Sequence, residues 1–295
     1  MSFQTKPLDA EVGIEILGLD LDRPIDEPTR RALYDTWLEH GILLFRGMGT
    51  TVERHLALSR CFGELEVHPV ESVRLPGTPE IISLKSTGET EPIVHYIDGE
   101  AVAGAIPWHS DLIYTPVPCR GALLRMVHKP AVGGQTGWID TAAAYEALPE
   151  ALKARVEGLE ARFDFIADIC DMRFGRPPKL EHGSMGNVEY PELPAVAHPL
   201  VWRHPESGRQ AIMTSPVHLR SVVGMEATEG DALLEELVAH ITDGRFTYIH
   251  EWEQDDMVLW DNWRTMHTAL GTPPECQREV QRTSIKGEYQ TGRLL

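Results

Sequence analysis

Short apolar runs, rather than runs of helix length, recur along this 295-residue chain and constrain its fold most strongly. The clearest are residues 42–45, 123–127 and 257–260, which are rich in Ile, Leu, Val and Trp. Runs of this kind, bounded by polar and turn-forming residues, are typical of buried β-strands. Many short strands with few helices predict a mainly β fold with flanking helices, whose core is a double-sheet, cupin-like jelly roll.

The sequence also predicts a first strand pair and several helices. Residues 12–17 and 19–21 indicate a first hairpin or strand pair on either side of Gly18. An amphipathic helix is predicted over Glu27–His40, with Leu33, Trp37 and Leu38 on one side and Gly41 at its end. Further helices are predicted over residues 51–61, 141–158 and 229–242. Without a repeat or a linker-like segment, we expect residues 1–295 to form a single domain.

The charge and the composition exclude several classes of function. The formal net charge is −18, so nucleic acid or an anionic membrane would meet a repulsive field. Apolar runs fall short of the about 18 residues of a membrane span, and the N-terminus lacks the basic and apolar regions of a signal peptide. The 4 cysteines have no CxxC spacing. We expect a cytoplasmic protein; a homo-oligomer is compatible with the sequence.

A metal site is indicated by His109-Ser110-Asp111 together with the distant His267. Two imidazoles and one carboxylate form the facial triad of non-haem Fe(II) oxygenases, which leaves coordination positions open for a co-substrate and O2. On an extended strand, residues i and i+2 point to the same side, so His109 and Asp111 could bind one ion together. His267 follows the apolar run at 257–260 and would arrive from another strand.

Two other classes of protein could use the same three residues. A zinc hydrolase binds its metal through two histidines and a carboxylate with a bound water. A catalytically silent cupin-like binding protein would keep the barrel and a basic pocket. Arg278 and Arg282 follow His267 closely, and a guanidinium group donates two parallel hydrogen bonds to a carboxylate. A binding site for an organic acid therefore accompanies the predicted metal site.

Several motifs, in this order along the chain, carry a family resemblance: Phe62-Gly63-Glu64-Leu65, His68-Pro69-Val70, Trp108-His109-Ser110-Asp111, Gly133-Gly134-Gln135-Thr136, Trp260-Asp261-Asn262, Arg278 and Arg282. Between about Val12 and Gly287 the sequence resembles the TauD/TfdA family of Fe(II)- and 2-oxoglutarate-dependent dioxygenases. The resemblance implies a double-stranded β-helix, a variety of jelly roll, and O2 as the second co-substrate.

The resemblance also implies roles for individual residues. His109, Asp111 and His267 match the iron ligands, and they are the predicted catalytic centre. Arg278 matches the residue that binds the distal carboxylate of 2-oxoglutarate, with help from the hydroxyl matched by Thr136. The resemblance implies hydroxylation of an unactivated C–H bond with release of succinate and CO2. Desaturation or ring formation begins with the same hydrogen abstraction and stays open.

The sequence predicts the class of the primary substrate, a small organic acid. Arg282 and His68 match positions that contact an anionic group of the primary substrate. Glu71 and Ala105 stand where taurine-oxidising members have tyrosine and asparagine, which favours a larger substrate or one with a cationic group. Residues 86–106, which include Tyr96, predict a lid over the substrate.

Overall fold

A computed structural model describes residues 3–49, 51–68, 71–86, 93–185 and 192–295. Its first strands are β1 (Gln4–Pro7), β2 (Ile14–Leu17), β3 (Ile42–Phe45), β4 (Arg74–Leu75), β5 (Thr78–Ser86), β6 (Val94–Ile97), β7 (Glu100–Ala103), β8 (Ile106–His109), β9 (Gly121–His128) and β10 (Thr136–Asp140). The later strands are β11 (Glu160–Phe163), β12 (Glu181–His182), β13 (Val196–Pro199), β14 (Val201–Arg203), β15 (Gln210–Ile212), β16 (Leu219–Val222), β17 (Thr247–His250), β18 (Met257–Asp261), β19 (Thr265–Ala269), β20 (Arg278–Ile285) and β21 (Arg293–Leu294).

The α-helices of the described residues are α1 (Glu27–His40), α2 (Val52–Ser59), α3 (Thr141–Glu146), α4 (Glu150–Val156) and α5 (Ala227–Ile241). Single 3-10 turns lie at Glu71–Val73 and Ile169–Asp171. Within the described part of the chain, every helix is too short or too polar to cross a membrane.

Two β-sheets face each other across an apolar cluster. The 8-stranded sheet has the order β1-β2-β3-β18-β9-β20-β5-β4, and a 4-stranded sheet has the order β17-β10-β19-β8. Trp138 of the smaller sheet packs in one cluster with Leu44, Leu124 and Trp260 of the larger sheet. This arrangement confirms the predicted mainly β fold with a jelly-roll core.

Strand β18 is a continuous apolar run because it is covered on both faces. Val258 and Trp260 point into the cluster between the sheets, while Met257 and Leu259 join a second cluster under α1 and α2. Side chains alternate between the faces of a strand, so a strand covered on both sides is apolar at every position. Asn262 follows β18 directly and lies next to the predicted metal ligand Asp111.

Helix α1 begins and ends as predicted. The Asp26 side chain accepts a hydrogen bond from the Thr29 backbone N–H at 2.9 Å and caps the N-terminus. Gly41 ends the helix with φ of 73°, a left-handed conformation that glycine adopts without steric cost. Its N–H donates to the carbonyl oxygen of Trp37 at 2.7 Å.

Two sequence-based expectations were wrong. Residues 19–21 form no strand; β2 instead pairs antiparallel with β1 and parallel with β3. The helix predicted over residues 141–158 is divided into α3 and α4, because Pro149 disfavours helical geometry at Leu148.

The predicted lid at 86–106 contains a β-hairpin. Strands β6 and β7 pair antiparallel through a two-residue turn, Asp98-Gly99, in which both φ angles are positive. Residues 87–92 lie outside the described residues. The hairpin leads directly into β8, whose last residue is His109. Closure of this segment over the substrate stays a prediction.

Candidate active site

His109 and His267 lie directly opposite each other on the antiparallel strands β8 and β19. Directly paired residues in such strands point to the same face of the sheet. Their ring centroids are accordingly 4.0 Å apart, and both side chains are buried. The Trp260 ring lies 4.7 Å from the His267 ring and fixes its orientation from the opposing sheet. The jelly roll thus brings together two histidines that are far apart in sequence.

The His-x-Asp spacing predicts that Asp111 lies on the same extended strand as His109. This prediction is wrong. Strand β8 ends at His109, and Asp111 begins a turn in which Leu112 has φ of 57°. Asn262 holds this turn, since its side chain exchanges hydrogen bonds with the backbone N–H and carbonyl of Asp111, each 2.9 Å long. The turn brings one carboxylate oxygen to 3.8 Å from His267 Nε2.

These three side chains form a cluster suited to a metal ion. One ligand atom from each of His109, Asp111 and His267 lies within 4.8 Å of the others. His109 Nδ1 is 2.8 Å from the carbonyl oxygen of Pro107, which can only accept, so Nδ1 carries the hydrogen and Nε2 keeps its lone pair. A backbone partner of this kind is usual for a metal-binding histidine.

The protonation states also fit a divalent cation. Burial lowers the pKa of His109, and it lowers the pKa of His267 well below the ordinary value, so both imidazoles are neutral. Burial alone would raise the pKa of Asp111, but the charge of Arg282 and its hydrogen bond hold this pKa well below its usual range. Two neutral nitrogens and one carboxylate are the donor set of a non-haem Fe(II) site. The residues present therefore fit the iron that the sequence predicts.

Arg282 lies beside this cluster, on β20. Its Nη1 donates to both carboxylate oxygens of Asp111, at 2.8 and 3.0 Å. Arg278 is four residues earlier on the same strand, and residues at this spacing point to the same face. Both arginines therefore lie on one strand, as predicted from the sequence, and Arg282 contacts the predicted metal ligand Asp111.

Arg278 has a different environment from Arg282. Its Nη2 is 3.4 Å from the carbonyl oxygen of Gly134, and its buried Nε has no hydrogen-bond partner among the described residues. Burial lowers its pKa to about 10. A side chain at position 134 would crowd this group, because an added Cβ would lie 3.2 Å from Arg278 Nε. A buried cation with an unmet donor fits an anionic ligand.

Thr136 lies on β10, next to β19. Its hydroxyl oxygen accepts a hydrogen bond from Trp252 Nε1 at 3.0 Å, which leaves the hydroxyl hydrogen to donate elsewhere. Trp138 is the cross-strand partner of His267, and Thr136 lies two residues earlier. The Thr136 side chain therefore points to the same face of the sheet as His267.

The three remaining predicted site residues are His68, Glu71 and Tyr96. The carbonyl oxygen of His68 accepts a hydrogen bond from Arg74 at 2.7 Å, while residues 69–70 lie outside the described residues. Glu71 is exposed at the start of a 3-10 turn, and Tyr96 is 42% exposed on β6. Their roles in substrate binding stay predictions.

A group of three rings was missed by the sequence reasoning. The Tyr114 ring centroid lies 4.8 Å from those of Phe165 and His218. The Val217 N–H donates to the Trp108 carbonyl oxygen at 3.4 Å, and the charges of Asp111 and Arg282 act on Tyr114, so this group lies beside the metal ligands. Tyr114 follows Asp111 closely in sequence, but Phe165 and His218 are brought there by long-range backbone pairing, in which Asp164 N–H donates to the His218 carbonyl.

The chain is similar to known proteins over nearly its whole length. The family described as taurine catabolism dioxygenase TauD, TfdA family matches residues 4–284. An (S)-phenoxypropionate/alpha-ketoglutarate-dioxygenase of Sphingobium herbicidovorans is 32% identical over 289 residues, which cover 97% of this chain and 96% of that protein.

Solved structures extend the likeness to the fold. A taurine dioxygenase from Burkholderia xenovorans is 31% identical with a TM-score of 0.80, covering 100% of this chain and 95% of its own. AAD-2 in complex with Mn(II) and N-oxalylglycine is 25% identical with a TM-score of 0.76, covering 99% of this chain and 100% of its own. The match along nearly the whole sequence, with a His-Asp-His cluster inside a jelly roll, means that this chain belongs to the TauD/TfdA family of dioxygenases.

Proposed function

We propose that this chain, an Fe(II)- and 2-oxoglutarate-dependent dioxygenase, hydroxylates an unactivated C–H bond of a small organic acid that carries an apolar or aromatic group. One arrangement carries the proposal: the cluster of His109, Asp111 and His267 has Arg282 in direct contact with it. Arg278 lies on the same strand as Arg282.

The metal supplies the reactivity, and the protein supplies the geometry. Fe(II), when bound, would supply the redox chemistry in which 2-oxoglutarate and O2 give succinate and CO2 while one oxygen atom of O2 enters the C–H bond of the substrate. His109, Asp111 and His267 would hold the metal from one side and leave about three positions open. Asn262 would keep the Asp111 carboxylate directed at the two imidazoles.

Arg278 and Thr136 would hold the co-substrate. The unpartnered Nε of Arg278 is the kind of donor that a carboxylate accepts from, and the pairing would remove the cost of an unsatisfied buried cation. The Thr136 hydroxyl, fixed by Trp252, has a hydrogen available for the same carboxylate. Gly134 leaves the space that the Arg278 side chain needs.

Arg282 supports an anionic primary substrate. The Asp111 carboxylate accepts two hydrogen bonds from Arg282. A dication bound to the same carboxylate would take up much of its charge and would place a second positive group near the guanidinium. A substrate carboxylate or sulfate beside Arg282 would neutralise the charge of the guanidinium group.

The rings of Tyr114, Phe165 and His218 support an apolar or aromatic group on the same substrate. Tyr114 lies edge-to-face with Phe165 and His218, which are stacked on each other, and the three rings present apolar surface beside Asp111. The (S)-phenoxypropionate-oxidising relative is named for an acid with such a group, which agrees with this choice. We assign His68 and Tyr96 to further contacts with the substrate, and Glu71 to repulsion of a second acidic group or to pairing with an amine.

Substrate-dependent release of succinate tests this proposal. The purified protein with Fe(II), 2-oxoglutarate and O2 is offered aryloxy acids, alkyl sulfates, taurine and neutral aromatic ethers. We expect stimulation by monoanionic acids with an aryl or long alkyl group, and little by taurine or the neutral ethers. Efficient oxidation of taurine, or equal stimulation by the neutral ethers, would contradict the proposed substrate class.

A matched pair of variants locates the apolar group. Tyr114→Ala should raise the KM for an aryl acid much more than the KM for 2-oxoglutarate, because it removes ring contact and no donor to the co-substrate. Tyr145→Ala, at a buried tyrosine of α3 outside the group of three rings, is the control for general loss of packing. Equal KM changes in the two variants would contradict a substrate role for Tyr114.

A further inference from the structure

A second group of metal-ligating side chains surrounds Asp168. His95 Nε2 lies 3.1 Å from one carboxylate oxygen of Asp168, and His182 Nδ1 lies 2.8 Å from the other. Cys170 belongs to the same group, since ligand atoms of His95, Asp168 and Cys170 all lie within 4.8 Å of one another. None of these residues belongs to the proposed iron centre, so the group needs its own explanation.

The fold builds this group from three separate segments. His95 of β6 and His182 of β12 are direct cross-strand partners, so their imidazoles lie on the same face of the small sheet. Asp168 caps the 3-10 turn Ile169–Asp171, where its side chain accepts from the Cys170 N–H at 2.9 Å. The turn places the carboxylate and the thiol against the two imidazoles.

The chemistry of the four side chains suits a borderline-soft divalent cation. Imidazole nitrogen, thiolate sulfur and carboxylate oxygen are the ligands of four-coordinate Zn²⁺, and related metals accept the same set. Two neutral imidazoles with one thiolate and one carboxylate would balance the charge of a dication. Burial and the charge of Asp168 raise the pKa of the Cys170 thiol, and a bound cation would reverse that effect.

Burial separates this group from a chance surface cluster. His95 is 1% exposed and Cys170 is 7% exposed, while His182 is mostly exposed and would close the site from the solvent side. The Nδ1 atom of His95 is buried without a hydrogen-bond partner among the described residues. If Asp168 served only to accept hydrogen bonds, this would explain the positions of His95 and His182. It would not explain why the Cys170 thiol lies beside them.

We propose that His95, Asp168, Cys170 and His182 bind a zinc-class divalent metal ion that ties the β6–β7 hairpin to the segment after β11. Such a tie would hold the described part of the predicted lid at 86–106. It would also stabilise one wall of the proposed substrate site, because Cys170 packs in the same apolar cluster as Val217, the neighbour of His218. The site is independent of the proposed iron centre.

Cobalt(II) is the probe that distinguishes the two centres, because a thiolate-to-cobalt absorption band in the near ultraviolet requires a cysteine ligand. Anaerobic titration of the full-length Asp111→Ala variant, in which the iron centre is disabled, should give this band at one equivalent of cobalt. The band should disappear in Asp111→Ala/Cys170→Ser and stay in Asp111→Ala/Cys276→Ser, whose cysteine is only partly buried. A missing band in Asp111→Ala, or a band that persists without Cys170, would overturn the proposal.

A second variant keeps the test valid if the Cys170 substitution disturbs folding. His182→Ala removes a largely exposed side chain, so the fold should be kept, and cobalt affinity in the Asp111→Ala background should fall at least about tenfold. Unchanged affinity would contradict the four-ligand site. Zn²⁺ at hundredfold excess over its Kd should raise the thermal midpoint of Asp111→Ala by about 5 °C and leave that of the Cys170→Ser double variant unchanged.

Discussion

Asn262 holds the backbone of Asp111 through a reciprocal pair of hydrogen bonds. Its Nδ2 donates to the Asp111 carbonyl oxygen and its Oδ1 accepts from the Asp111 N–H, both at 2.9 Å. Asn262 Nδ2 also donates to the Cys119 carbonyl oxygen at 3.1 Å, which ties the turn to the start of β9. The carboxylate of the proposed triad is therefore positioned by a residue 151 positions away.

Asn262→Ala should weaken Fe(II) or Mn(II) binding by about 10- to 100-fold, the usual cost of losing a residue that orients a metal ligand. Direct titration of the metal-free protein measures this affinity. Thr265→Ala is the matched control, because it deletes a buried hydrogen bond to Asp261 in the same segment without touching Asp111. Equal metal affinity in Asn262→Ala and wild type would contradict a positioning role.

Arg278→Gln should raise the KM for 2-oxoglutarate by about 30-fold to several thousand-fold. Losing one partner of a buried charge pair costs about 2 to 5 kcal/mol. Initial rates of succinate formation at varied 2-oxoglutarate measure the change, and Arg278→Lys tests whether a point charge can replace the guanidinium fork. A KM that barely moves would show that the co-substrate carboxylate is bound elsewhere, with Arg282 as the next candidate.

Arg282→Ala should weaken binding of the primary substrate much more than binding of 2-oxoglutarate. Because Arg282 also contacts Asp111, metal affinity is measured in parallel, so that loss of metal is not mistaken for loss of substrate. The two KM values, at saturating metal, give the comparison. A substrate KM that is unaffected by the substitution would remove Arg282 from the substrate site.

Stability should fall as the pH is lowered below about 6.5, the ordinary histidine pKa. Burial lowers the pKa of His55, His198 and His218 to about 3, 4 and 3 in the folded protein. The unfolded chain therefore binds more protons between these values and 6.5, which lowers the free energy of unfolding by up to about 1.4 kcal/mol per histidine per pH unit.

His198→Gln isolates one of these contributions. The variant should be less stable than wild type at pH 7, because His198 bonds to Thr115 and Thr291. The difference in the free energy of unfolding between the two proteins should narrow as the pH falls from 6.5 towards 4. Only the wild type has the His198 imidazole, whose lowered pKa makes its contribution fall with pH. Urea unfolding at several pH values measures this difference, and a constant difference would contradict this assignment.

The sequence predicted those parts of the fold and site whose signals are local. The capped helix Glu27–His40 has Asp26 and Gly41 at its ends, and the strands covered on both faces are apolar throughout. The cluster of His109, Asp111 and His267 was predicted from the His-x-Asp spacing and the family resemblance. Pro149 was also a local signal, and it would have divided the predicted helix at 141–158.

Other features depend on contacts between distant segments, which one sequence does not reveal. The turn at Asp111 depends on Asn262, and the pairing of β2 with β1 and β3 depends on where Ile14 and Ile16 are buried. The group around Asp168 was missed for the same reason, because His95 and His182 meet only when β6 pairs with β12.

Anaerobic addition of Fe(II) and 2-oxoglutarate to the purified, metal-free protein tests the central assignment most directly. A weak visible charge-transfer band should appear when both bind at one centre, and it should be absent from Asp111→Ala and His267→Ala variants that keep the wild-type circular dichroism. Neither a zinc hydrolase nor a silent binding protein would give the band. An undiminished band in either variant, or none in the wild type, would contradict the assignment of iron and 2-oxoglutarate to His109, Asp111 and His267.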